Sequence, residues 1–241
     1  MTRIHLPGPL AEGLVLDLPD AAFRHLVPVL RLREGDRFIA FDGRGGEYAA
    51  ELVGVGKRAA RARIGAHDPV SRESPLDLRL AQCVSKGERM DYTLQKAVEL
   101  GVTRITPLLA ERSVVRLDEL RWTKKLDHWR GVIVSACEQS GRTRIPELDP
   151  PQPLNAWLAA GVHGSGVVLD PAAANGLSAL PAPAGALTLL AGAEGGLSAG
   201  ELAAATRAGF IGLRLGPRVL RTETAAVALL AALQARYGDW V

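Results

Sequence analysis

This sequence predicts a two-part α/β protein, and three observations carry that prediction. Up to about Ala66 the apolar residues come in short runs separated by tight turn signals. From Leu76 onward, short apolar runs alternate with stretches of helical periodicity. Between them lies His67 to Pro75 (HDPVSRESP), with two prolines, two serines and little to bury, where a domain boundary is expected. Strands that alternate with helices build a mostly parallel sheet. With 241 residues, 47% of them hydrophobic, the chain can bury one large core or two ordinary ones. The same composition excludes a disordered chain, a collagen-like repeat and a disulfide scaffold.

In the first part, Ala21 to Leu30 predicts a short helix with an irregular end at Pro28. Arg37 to Phe41 and Glu47 to Val55 read as strands joined by the glycine-rich turn Asp42 to Gly46. Arg61 and Arg63 alternate with Ala60, Ala62 and Ile64, the period of a strand with one basic face. After the boundary, Leu76 to Val84 reads as a strand. Met90, Leu94, Ala97 and Val98 then share one helical face before Gly101 stops the helix. Arg104 to Leu109 is the next strand, and Trp122, Leu126, Trp129 and Ile133 form the stripe of a long helix reaching about Gln139. Val167 to Leu169 and Leu187 to Ala191 have the continuous apolar character of strands covered on both faces. Ser198 and Glu201 make a capping box opening another helix. Phe210 to Leu215 is a further strand, and Thr222 is placed as the N-cap of a last helix that Gly238 ends.

The net charge of +3 is unevenly spread: +1 up to Pro75, +4 from Leu76 to Ile145 and −2 thereafter. A modest basic excess in the middle, with Lys57, Arg58, Arg61 and Arg63 clustered and Arg24, Arg31 and Arg33 flanking an apolar stretch, suits a polyanion without requiring one. Cys83 and Cys137 lie 54 positions apart, outside any metal-ligand spacing, and are expected reduced. No apolar run reaches the length of a membrane span, and the first residues lack a secretory apolar stretch, so a cytoplasmic protein is expected.

Several familiar sites are missing: there is no GxGxxG after a strand, no GxxxxGK[ST], no HExxH and no CxxC. The five histidines are scattered without metal spacing, and no metal is expected. Two segments stand out because each sits where an apolar strand gives way to a helix: Gly192-Ala193-Glu194-Gly195-Gly196-Leu197-Ser198 and Leu215-Gly216-Pro217-Arg218-Val219-Leu220-Arg221-Thr222-Glu223-Thr224. Ligands in open α/β sheets bind outside the carboxyl ends of strands, and glycines there let backbone N–H groups come close. On pattern alone the two segments are equally well read as tight turns.

These two segments, together with Gln95 to Val102, Ala136 to Arg142 and His25 to Arg31, closely resemble in order the signatures of the RsmE family, the 16S ribosomal RNA uridine-N3 methyltransferases of the SPOUT superfamily. One departure is visible: the family usually has Gly-Pro-Glu-Gly-Gly, and Ala193 stands where that proline would be.

The resemblance implies an α/β SPOUT methyltransferase fold with a C-terminal trefoil knot over residues 75–241, preceded by a PUA-like β-barrel for RNA over residues 1–70. It implies S-adenosylmethionine as cofactor, held by Leu169, by Gly192, Ala193, Glu194, Gly195 and Gly196, and by Leu215, Gly216, Arg218, Val219 and Leu220. It also implies a homodimer acting on 16S rRNA of the small ribosomal subunit. Uridine N3 becomes nucleophilic only as its proton leaves, so a carboxylate acceptor and a nearby guanidinium are needed. Glu138 or Glu223 is expected as the acceptor, with Arg142 and Arg221 near the base or a phosphate. Arg3, Arg24, Arg31, Arg61 and Arg63 are expected to contact RNA, with Lys86, Arg89 and Lys96 closer to the target. The alternatives are a SPOUT enzyme acting on another rRNA or tRNA nucleotide and a non-catalytic RNA-binding assembly protein.

Overall fold

A computed structural model describes residues 1–113, 118–162 and 164–240. The chain divides into two compact units, Met1–Glu73 with Val134–Ile145, and Ser74–Ile133 with Pro146–Val241. The stretch 134–145 thus returns to the first unit after a long excursion in sequence.

In the first unit, β1 (Arg3–His5), β2 (Val15–Asp17), β3 (Arg37–Phe41), β4 (Glu47–Val55) and β5 (Ala60–Asp68) form one sheet in the order β1-β3-β4-β5-β2. β1 runs parallel to β3 and the other pairs are antiparallel. Its core gathers Ile4, Leu6, Leu26, Phe38, Leu52 and Ile64, each at most 1% exposed. Along β5 the predicted alternation holds, with Ala60, Ala62 and Ile64 buried and Arg61 and Arg63 exposed. The helix α1 (Asp20–Arg24) passes into a wide π-type turn over His25–Val29 that contains Pro28, because proline lacks the N–H a regular helix would use. Gly45 donates its N–H to the Thr143 carbonyl and Ile145 to that of Gly43, tying 143–145 to the β3–β4 turn.

The second unit carries β6 (Leu78–Cys83), α2 (Glu88–Glu99), β7 (Arg104–Leu109), most of α3 (Glu119–Ser140), β8 (Glu147–Leu148), β9 (Gln152–Pro153) and α4 (Leu154–Ala159). There follow β10 (Ser165–Leu169), β11 (Leu187–Ala191), α5 (Ala199–Arg207), β12 (Phe210–Leu213) and α6 (Thr222–Tyr237). Its sheet is parallel throughout, in the order β12-β10-β11-β6-β7-β8, with β9 also on β7. Every residue of β11 is buried, as a central strand covered on both faces requires. Trp129 and Ile133 of the predicted stripe are fully buried, and Trp129 Nε1 donates to Asp91 Oδ1 at 3.1 Å, joining α3 to α2. Ser198 and Glu201 cap α5 reciprocally, and the second Glu201 oxygen accepts the Glu111 N–H at 2.7 Å.

Three local expectations change. β12 ends at Leu213 rather than Leu215, short strands β8 and β9 and the helix α4 had no clear periodicity, and Arg221, not Thr222, occupies the N-cap of α6. His163 lies outside the described residues. No helix among the described residues is long and apolar enough to cross a membrane.

Candidate active site

At the carboxyl ends of three neighbouring parallel strands, β10, β11 and β12, the second unit forms an open cavity of about 540 Å³. Its floor is built from Leu169, Ala191 and Leu213, the last residues of those strands. Its walls are the two turns, Gly192–Leu197 before α5 and Leu215–Leu220 before α6. A size of 300–1,000 Å³ with a mainly apolar wall and a few charged groups is what a small organic ligand requires.

The first turn is tight because its glycines allow it. A Cβ on Gly192 would come within 3.2 Å of the Gly196 backbone, and Gly196 has φ +65°, which an L side chain rarely adopts. Gly196 closes the turn by donating to the Ala193 carbonyl at 2.9 Å. Arg112 Nη1 holds it from outside through the Gly195 carbonyl at 3.1 Å. Glu194 is pinned by two donors, the Lys86 N–H at 2.9 Å and Arg89 Nη1 at 2.8 Å. Burial raises the Glu194 carboxyl, but these donors outweigh it, so it titrates below the ordinary glutamate range. Behind the turn, burial pushes the Cys83 thiol up to about 12, while the Ala193 N–H, a donor that proline would lack, works the other way.

The expected cofactor residues Leu169, Gly192 to Gly196, Leu215, Arg218, Val219 and Leu220 all line this cavity; Gly216, with φ +72°, shapes the second turn without lining it. Arg221 and Glu223 line it as well, at the start of α6. Glu223 Oε2 is buried and has no hydrogen-bond partner among the described residues. Such an oxygen is costly to leave bare, and functional sites are where that cost is tolerated.

Glu138 and Arg142 are not among the cavity-lining residues. Both belong to the first unit. Glu138 Oε1 accepts the His5 backbone N–H at 2.9 Å, and burial raises its carboxyl. Arg142, whose side chain is 5% exposed, pairs with Glu73 at 2.6 Å, and the other Glu73 oxygen accepts the N–H groups of Thr143 and Arg144. These bonds tie the stretch following α3 to Glu73.

Among the residues expected to meet RNA, Arg24, Arg31, Arg61, Arg63 and Lys86 are exposed. Arg3 is paired with Glu47 at 3.2 Å and Lys96 with Glu99 at 2.8 Å, while Arg89, paired with Glu194, lines the cavity. Asp170, Arg214 and Thr222 line it too, unforeseen as ligand residues. Asp170 directly follows the apolar run Val167 to Leu169, so the strand-end rule that points to the glycine turns points to it as well.

Comparison with known proteins agrees with this geometry. Residues 72–234 match the model of an RNA methyltransferase domain and residues 18–65 that of an RNA methyltransferase PUA domain. Ribosomal RNA small subunit methyltransferase E of Buchnera aphidicola (subsp. Schizaphis graminum) is 34% identical over 98% of this chain and 97% of its own length. The Bacillus subtilis protein of the same name is 32% identical over 93% and 91%. The crystal structure of ribosomal RNA small subunit methyltransferase E from Neisseria gonorrhoeae bound to S-adenosylmethionine superposes with a TM-score of 0.93 at 40% identity, covering both chains completely. A Legionella pneumophila protein described as a methyltransferase, solved with bound S-adenosylmethionine, gives 0.96 at 41% identity over 99% and 98%. A two-unit chain with a parallel sheet, a cavity at its strand ends and full-length likeness of this kind belongs to the RsmE family of RNA methyltransferases.

Proposed function

We propose that this chain is an S-adenosylmethionine-dependent methyltransferase that modifies N3 of one uridine in the 16S RNA of the small ribosomal subunit. The observation that carries the reading is the cavity itself: two glycine-bearing turns at three strand ends, with a bare, buried carboxylate oxygen of Glu223 close in sequence to Arg221.

The donor set suits the cofactor. Leu169, Leu197, Leu215 and Leu220 offer an apolar slot for a purine, and the turn backbones offer donors and acceptors to its edge. Asp170 and Glu194 can take hydroxyl or ammonium groups, and Arg218 a carboxylate. Bound there, S-adenosylmethionine supplies a methyl group activated by its sulfonium.

What the chain must add is alignment and proton handling. Glu223 Oε2 accepts the proton of uridine N3, freeing the nitrogen lone pair to form the new N–C bond. Arg221 stabilises the negative charge that spreads onto the base oxygens. The target base must leave its stack to reach such a pocket. Arg24, Arg31, Arg61, Arg63 and Lys86 supply exposed cations for phosphates, which set register rather than sequence.

The same reading carries a trefoil-knotted C-terminal segment, a cytoplasmic location and a homodimer. Val219, 79% exposed on a cavity turn, is an apolar side chain that a second copy would cover. Incubation with methyl-labelled cofactor and small subunits lacking the modification tests the reading. Label is expected in 16S RNA, and none there would overturn it.

A further inference from the structure

The two turns that wall the cavity are far apart in sequence, yet one buried hydroxyl joins them. Thr222 Oγ1 donates to the Gly192 carbonyl at 2.5 Å, at the first residue after β11. The two hydrogens of Gln82 Nε2 are shared among three acceptors, the Thr222 oxygen at 3.0 Å, the Cys83 carbonyl at 3.0 Å and, at the longest reach, the same Gly192 carbonyl at 3.3 Å. Gln82 sits near the end of β6, directly opposite Ala191 in the β6–β11 ladder. Gln82 is fully buried and Thr222 is 9% exposed, so the network sits where the local dielectric is low and hydrogen bonds are strong.

Thr222 stands between Arg221 and Glu223. Successive helical residues point about 100° apart, so a threonine side chain turned inward to Gly192 sets the direction of both neighbours. The sequence casts Thr222 as a helix cap, but its hydroxyl reaches across to the other turn and leaves Arg221 at the cap with no side-chain bond.

We propose that Thr222, seated by Gln82, is a positioning residue that fixes the Gly192 turn and the Arg221–Glu223 pair in one register. Cofactor affinity and turnover then depend on the same hydroxyl, although neither it nor Gln82 has to touch the reacting atoms. The inference rests on the reading of the cavity as the S-adenosylmethionine site.

Three substitutions test it: Thr222→Val, which keeps the shape and removes the hydroxyl, Thr222→Ser, which restores it, and Gln82→Met, which removes the outer donor. The measurements are the S-adenosylmethionine Kd by calorimetry, KM and kcat with small subunits, and the melting temperature without ligand. Thr222→Val should raise Kd and KM about tenfold, the loss of one buried hydrogen bond, and lower kcat as well. Thr222→Ser should bring all three back to within about twofold, since the donor and acceptor return. Gln82→Met should weaken binding less, and the double variant should bind worse than Thr222→Val with a non-additive loss, because Gln82 also donates directly to the Gly192 carbonyl and its removal leaves that carbonyl without either donor.

If Thr222→Val merely melts earlier while Kd, KM and kcat stay at wild-type values, the hydroxyl is structural and the inference falls. If that variant does not fold, Gln82→Met with unchanged Kd and KM has the same force. A wild-type chain that fails to bind S-adenosylmethionine overturns the reading of the cavity, and this inference with it.

Discussion

Replacing Glu223 by glutamine separates what this carboxylate costs the fold from what it gives the reaction. Its Oε2 is buried at the cavity without a hydrogen-bond partner among the described residues. A bare polar oxygen of this kind costs about 1–3 kcal/mol, and a neutral amide is cheaper to bury than a charge. Recovering even about 1 kcal/mol would raise the Tm by about 2–4 °C in a chain of this size. Loss of a positioned proton acceptor should lower kcat by about 10²–10⁴-fold. Cofactor affinity should stay within about threefold, since removing a group that acts on the base alone leaves ground-state cofactor binding in place. The assays are a thermal melt, calorimetry with S-adenosylmethionine and single-turnover transfer to unmodified small subunits. A variant that turns over at the wild-type rate would refute the assignment of the proton to Glu223, whatever its stability.

Three further outcomes follow from the same structure. Arg142→Ala should destabilise the first unit by about 1.5–3 kcal/mol, because it removes the charged hydrogen bonds to Glu73 and leaves that carboxylate, among the described residues, only the N–H groups of Thr143 and Arg144. A Tm loss of several degrees with unchanged cofactor Kd is expected, and weakened cofactor binding in still-folded protein would contradict it. Burial holds the Glu138 carboxyl above its ordinary 4.5, only partly offset by the His5 N–H and His25. A raised folded value favours the protonated form, so its contribution to stability is full below the unfolded value and is lost as pH rises through the folded one. Glu138→Gln should therefore raise the Tm at pH 7, give no gain near pH 4 and leave turnover intact; a loss of turnover would return Glu138 to the reaction. Arg61→Ala with Arg63→Ala should weaken RNA binding and flatten its salt dependence, by about one unit of slope for each phosphate no longer neutralised, while calorimetry shows unchanged S-adenosylmethionine binding. Equal loss of both would make these arginines structural.

The glycine turns were legible in the sequence because everything that defines them is local: an apolar strand, a glycine that allows a close turn, and a capped helix. Gly192, Gly196 and the Ser198–Glu201 box lie within ten residues and leave the chain few other ways to fold. The fates of Glu138 and Arg142 were not legible, since their partners His5 and Glu73 lie 133 and 69 positions away. Spacing fixes which residues share a helix face, not which distant backbone group meets that face. Thr222 shows the same limit from the other side. Its residue type fits a helix cap, and the Gly192 carbonyl of the other turn takes its hydroxyl instead. Charge was the least readable signal, because Arg3, Arg89 and Lys96 look like free cations in sequence and each meets a carboxylate in the fold.

Mapping the modified nucleotide tests the account most directly. Small subunits from a strain without the modification are incubated with the purified chain and S-adenosylmethionine, and the 16S RNA is digested and read by mass spectrometry. One uridine carrying a methyl on N3 is the outcome expected from a carboxylate that takes the N3 proton beside a sulfonium donor. A methyl on a ribose, on a carbon or on a different base would contradict it.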